Sequence, residues 1–106
     1  LAADTEARAQ ELAKSAEAWF VRTFVRGGVS AFPTNSEAEA ETYDAMEQAL
    51  IGMRRQFSAV GTGPQVAEKL RALVAKFQID ELSIVTLTAE HADRVRSYEL
   101  LADALI

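Results

Sequence analysis

The sequence has no cysteine. That excludes disulfides, thiolate metal sites and a cysteine nucleophile, and it fits a reducing cytoplasm. Histidine occurs once, as His91. No acid stands at a triad-like or metal-like spacing from it beyond its helix neighbours, so it reads as a solvated helical residue. Positive charge is scarce: 11 Lys and Arg face 16 Asp and Glu, a formal charge of −5. Such a surface repels phosphate backbones and anionic lipid, and no basic stripe offsets it, so neither nucleic acid nor membrane is an expected partner. No apolar run approaches the ~20 residues of a membrane helix. Leu1–Glu6 has neither the basic start nor the apolar core of a signal peptide. There is also no initiator methionine, which leads to the expectation that the chain begins inside something longer, or after processing.

What is present is a globular composition, 49% apolar and 25% charged over 106 residues, enough for one small domain with one core. A first helix is expected over about Thr5–Arg26. Leu12, Ala16, Phe20 and Phe24 form its apolar stripe, widened by Trp19, and Gly27-Gly28 stops it. After a loop from Val29 to Asn35, a second helix is expected from about Ser36 to Met53, with Thr42, Met46, Ala49 or Leu50, and Met53 inward. Phe57–Val60 is a short strand candidate. Gly61-Thr62-Gly63 turns the chain, and Pro64 opens a third helix buried through Val66, Leu70, Leu73 and Phe77. Leu82–Leu87 is apolar at nearly consecutive positions, as in a strand covered on both faces of a parallel sheet. Thr88 is the expected cap of a last helix with Ala92, Val95, Tyr98, Ala102 and Leu105 inward. The order is two helices, then β-α-β-α, an α/β fold. Two parallel strands are not a complete sheet, so this reading expects a fragment of a larger domain.

Phe57-Ser58-Ala59-Val60-Gly61-Thr62 with Gln65-Val66 and Leu70, then Asp80-Glu81-Leu82, Thr86-Leu87-Thr88 and Arg96-Ser97-Tyr98 with Leu100-Leu101-Ala102, resembles the C-terminal end of the luciferase-like flavin-dependent monooxygenases. The earlier helix with Thr5, Ala9, Leu12-Ala13 and Trp19, followed by Gly28 and Phe32-Pro33, is similar to the same family. The resemblance covers essentially the whole chain. It implies a (β/α)8 TIM-type barrel, with 1–56 as a helical insertion and 57–106 as the last two βα units. It also implies an enzyme that binds reduced FMN, or F420, and acts on a small organic substrate with dioxygen, with a homo-oligomeric assembly. Gly61, Thr62 and Thr88 would then touch the rim of the cofactor pocket. No catalytic residue or metal ligand is expected in this segment, and the segment alone should be inactive and bind no flavin tightly. The sequence departs from the family at Gln78-Ile79, where a glycine is usual after the helix.

Each motif also has a plainer reading. Gly61–Pro64 is either an anion cradle at a helix start or an ordinary tight βα turn; it is neither a Walker loop nor a dinucleotide fingerprint. Thr86 and Thr88 are either cofactor contacts or a strand residue and a helix cap. Gly27–Phe32 is either a mobile lid or a connector. Glu37, Glu39 and Glu41 suit the positive end of a helix dipole better than a metal. Arg94, Arg96 and Glu99 read as a solvated face. A second functional hypothesis, of another class, is a stand-alone α/β interaction module that self-associates through the exposed edge of Leu82–Leu87.

Overall fold

The computed structural model describes residues 1–28 and 31–106. Val29 and Ser30, within the expected loop and lid, lie outside the described residues. Among the described residues five α-helices follow one another: α1 (Glu6–Phe20), continued by a π-helical turn over Val21–Val25, then α2 (Asn35–Ala40), α3 (Ala45–Arg55), α4 (Gly63–Phe77) and α5 (His91–Leu105). α1 packs on α2, and α4 packs on α5.

The expected α/β fold is not formed, and with it goes the barrel fragment. Among the described residues there is no strand, only one isolated parallel bridge between Ala2 and Gly61. The reasons are local. Phe57 and Ser58 donate their N–H groups back to Arg54 and Arg55, so they finish α3 rather than start a strand. Gly61 is held instead by the N-terminal residues: its N–H donates to the Leu1 carbonyl at 3.2 Å, and its carbonyl accepts from Ala3 at 3.0 Å. The run 82–87 meets no second strand, and Thr86 N–H donates to the Tyr98 hydroxyl at 3.3 Å. A parallel pair needs its two members side by side, and here the first is already taken. The interaction module built on a strand edge is overturned for the same reason, since the described residues form no paired sheet to present one.

The helix starts follow from capping chemistry. Thr5 and Thr34 accept from the N–H groups of Arg8 and Glu37. Asp44 and Thr62 form reciprocal capping boxes with Glu47 and Gln65, each satisfying N–H groups that a helix start leaves free. Asp44 explains why the single helix expected over 36–53 is two helices: a capping residue in mid-segment starts a new helix after extended Glu41. Thr88 does not cap α5. Its hydroxyl donates to the Glu90 carbonyl at 2.6 Å, and Glu90 stands at the cap position without a side-chain bond. Gln78 accepts the left-handed conformation at the end of α4 (φ 52°, ψ 46°) that a glycine would take more easily.

Burial departs from the expected stripes in instructive ways. Leu12 and Ala16 are buried as expected, but Phe24 is 66% exposed. The intervening π turn inserts an extra residue per turn and rotates everything after it. In α3, Ile51 and Glu47 are buried while Met46 and Met53 are exposed. In α5 the inner face is Ser97 and Leu101, not Val95, Tyr98 and Leu105. Ser97 accepts from Ala2 N–H at 2.8 Å, a polar contact that suits its inward position. Close approach does the rest: a Cβ on Gly63 would lie 2.8 Å from the Leu100 carbonyl oxygen, so α4 and α5 touch where only glycine fits. Two apolar clusters result, one around Ala2, Val66 and Leu101, the other around Ala3, Ala9 and Leu12.

Candidate functional site

The extended runs leave their mark as an open groove of about 530 Å³. One wall is α1 and the end of α3 (Ala13, Ala16, Glu17, Arg55). The others are α4 (Val66, Leu70, Leu73) and the residues 57–60 and 82–87. Its lining is mostly aliphatic. Val85 is 80% exposed and Phe57 82%, so large apolar surface stands in water there.

The polar end of the groove is one ion pair. Glu17 is buried, and Arg55 grips it with both arms, Nε to Oε1 at 2.8 Å and Nη2 to Oε2 at 2.9 Å. A buried carboxylate needs such a fork to offset lost hydration. The same bond to Glu17 raises the Arg55 pKa above its ordinary value. Beyond it lies a second network. Arg26 donates to Glu47 at 2.7 Å, to Glu41 at 2.8 Å and to the Thr42 carbonyl at 2.9 Å, while Arg22 reaches Glu41 at 2.6 Å. Arg26, then Arg22, holds the Glu41 carboxyl below its usual range. Arg26, then the Asp44 N–H, does the same to Glu47. These groups tie the π turn to the α2–α3 connection. Their arrangement is that of a scaffold, with each charge answered by another.

The residues singled out from sequence do not come together. Gly61 and Thr62 sit at the start of α4 and Thr88 lies before α5. The Gly61 N–H is spent on Leu1 and the Thr62 N–H on Gln65 Oε1. Thr62 Oγ1 accepts from Gln65 N–H, and Val66 N–H donates to the Thr62 carbonyl. Pro64 has no N–H, and the donors of Thr62 and Gln65 are used within the cap, as in an ordinary helix start. Glu37, Glu39 and Glu41 each face a cation, Arg22, Lys14 and Arg22 with Arg26 respectively. No group of three or more potential metal ligands occurs among the described residues. Sequence reasoning missed the Glu17–Arg55 pair. The two residues are 38 apart, and no local pattern joins them. It also missed the capping boxes at Asp44–Glu47 and Thr62–Gln65, whose x-x-Glu and x-x-Gln spacing was visible.

No family model matches the chain. The chain is similar to three proteins of Bacillus subtilis (strain 168). It is 34% identical over 104 residues to the uncharacterized protein YwcH, covering 98% of this chain and 31% of that one. With the uncharacterized protein YvbT the identity is 35%, covering 97% and 30%. With the uncharacterized protein YceB it is 28%, covering 100% and 32%. Among solved structures it resembles apo-MsnO8, with a TM-score of 0.73 and 25% identity over 97% of this chain and 31% of that chain. The chain thus spans about a third of the length of the relatives it matches. Among the described residues, helices stand beside unpaired runs where barrel strands were expected. The luciferase-like resemblance is therefore withdrawn, together with the flavin-dependent monooxygenase read from it. Among the described residues no helix is long and apolar enough to cross a membrane.

Proposed function

We propose that residues 1–106 serve as a helical packing segment of a longer protein, whose remaining polypeptide covers the groove between α1, α4 and residues 82–87. The single observation that carries this is the groove itself: Phe57, Leu82, Val85 and Leu87 are exposed along one continuous apolar surface. Surfaces of that kind mark contact sites. The occupant is inferred from length. The relatives that match nearly all of this chain are about three times as long, so each carries a large further body of chain. A covalently linked partner is present at high effective concentration and needs little intrinsic affinity. The scaffold of ion pairs in the first half suits the same role, since it fixes one wall of the groove without help from a ligand.

Side-chain footprinting of 82–87 tests this reading, in the 106-residue chain and in the longer polypeptide read from its own gene. Leu82, Val85 and Leu87 should be labelled in the short chain and protected in the long one. Equal labelling in both, or a reading frame that encodes nothing beyond this chain, overturns it.

A further inference from the structure

We propose that the outer face of α3 receives an amphipathic helix supplied by the remaining polypeptide. Met46, Leu50, Met53 and Phe57 follow one another at steps of four, three and four, so they fall in one line along the helix and the turn that finishes it. Met46 is 62% exposed, Met53 60% and Phe57 82%, and Leu50 is half-buried. Methionine is unbranched and adapts its shape to a partner surface. Beside this ridge runs a row of small exposed residues, Ala45, Ala49 and Gly52, at the same helical spacing. A ridge next to a shallow furrow is the relief into which a second helix packs, with the two axes about 8–10 Å apart.

Gly52 points the same way independently. Glycine is the least favourable helix residue after proline, and nothing among the described residues asks for it here. Its backbone is not left-handed, and a Cβ at this position would meet no other part of the chain within 4 Å. Close approach of a backbone from outside accounts for it. The occupant follows from size and continuity. The ridge is roughly 16 Å long, and a contact of three helical turns falls short of the roughly 1,200 Å² that a stable interface between separate molecules buries. A covalently linked occupant escapes that limit. The ridge also leads into the groove, because Phe57 belongs to both. This inference rests on the reading of the chain as a segment of a longer protein, and not on what fills the groove.

Methionine oxidation tests it, in the 106-residue chain and in the longer polypeptide read from its own gene. Met46 and Met53 are the two methionines of this chain, and dilute peroxide converts exposed thioethers to sulfoxides that mass spectrometry counts. Both should oxidise readily in the short chain and more slowly, by about tenfold or more, in the long one. Gly52→Leu should raise the melting midpoint of the short chain by a few degrees, since leucine suits a helix and meets nothing there. In the long form it should lower the midpoint, because the side chain stands where the partner's backbone lies. Equal oxidation in both forms, or a Gly52→Leu shift of the same sign in both, would overturn the proposal. So would protection in the short chain that grows with its concentration, which would make a second copy the occupant. Open methionines with 82–87 protected would sink this inference and spare the groove reading; protected methionines with 82–87 open would do the reverse.

Discussion

The two halves of this chain solve the same problem differently. In residues 1–56 almost every charge on a helix meets an opposite one: Lys14 with Glu39, Arg22 and Arg26 with Glu41, Arg26 with Glu47, Arg55 with Glu17. In residues 57–106 the one internal ion pair is Arg96 with Glu99, a pair within one helix, among the described residues. Apolar exposure runs the other way. Among the described residues, Phe24, Met46 and Met53 are the large exposed apolar residues of the first half. The second has Phe57, Phe77, Leu82, Val85, Leu87, Val95, Tyr98, Leu105 and Ile106. The first half is closed by polar contacts of its own making, and the second is left open by apolar surface that it cannot bury. The seam between them runs through the N-terminal residues: Leu1 to Ala59, Ala2 to Ser97 and Gly61, Ala2 packed with Val66 and Leu101, Asp4 to Arg96, Glu6 to Gln65 and Arg8 to Asp93.

A matched pair of substitutions exposes that contrast most strongly. Leu12 is 2% exposed in the first half, and Leu73 is half-buried on the groove wall. Leu12→Ala should cost about 2–5 kcal/mol, the range for a truncated core leucine. Leu73→Ala should cost less than about 1.5 kcal/mol, because much of its surface already stands in water. Urea denaturation of both variants measures the difference. Equal losses would mean that the groove wall is as well packed as the core, and the two-halves picture would fail.

Acid should act on the first half alone. Glu41 and Glu47 have their carboxyls held below the ordinary range by Arg26, with Arg22 and the Asp44 N–H assisting. A carboxyl whose folded pKa is depressed stabilises the fold above its unfolded pKa and loses that contribution as pH falls through its folded value. The network is therefore complete at neutral pH and is lost only as pH falls below the ordinary glutamate range, through the depressed folded values. Amide exchange should quicken at the π turn and at 41–47 on acidification, while α4 keeps its relative protection. Asp4, lowered by Arg96, belongs to the seam and should follow the first half. Uniform loss across all five helices would show that the network carries no local stability.

The same contrast explains what could be read in the sequence. Thr5 and Pro64 announced helix starts because capping is a local matter, decided within four residues. The break at Asp44 was equally local and legible in Asp44…Glu47. Leu82–Leu87 was not. Its apolar run describes a segment fit for burial, but whether it becomes a strand depends on a partner that must come from elsewhere. The inner face of α5 escaped for a related reason. Val95 and Tyr98 outrank Ser97 in hydrophobicity, yet Ser97 lies inward, bonded to Ala2, 95 residues away. The groove was implied by those exposed residues; its ionic end, Glu17 with Arg55, was not, because a tertiary ion pair has no sequence period.

Val85→Asp should have the smallest effect on the isolated chain, and for that reason it is the most telling. Val85 is 80% exposed, and no partner side chain confines it. A substitution in such a place usually changes stability by no more than about 0.5 kcal/mol. In the 106-residue chain the thermal midpoint should hardly move. In a longer polypeptide that covers the groove, the same change would bury an unpaired carboxylate among Leu82, Leu87 and Ile84, and the cost rises to several kcal/mol, as expected for a charge without a partner. The ratio of the two effects, measured by melting the two forms side by side, reports coverage of the groove directly. A Val85→Asp variant that is neutral in both forms would mean that the open half stays open, and that its apolar residues are simply tolerated.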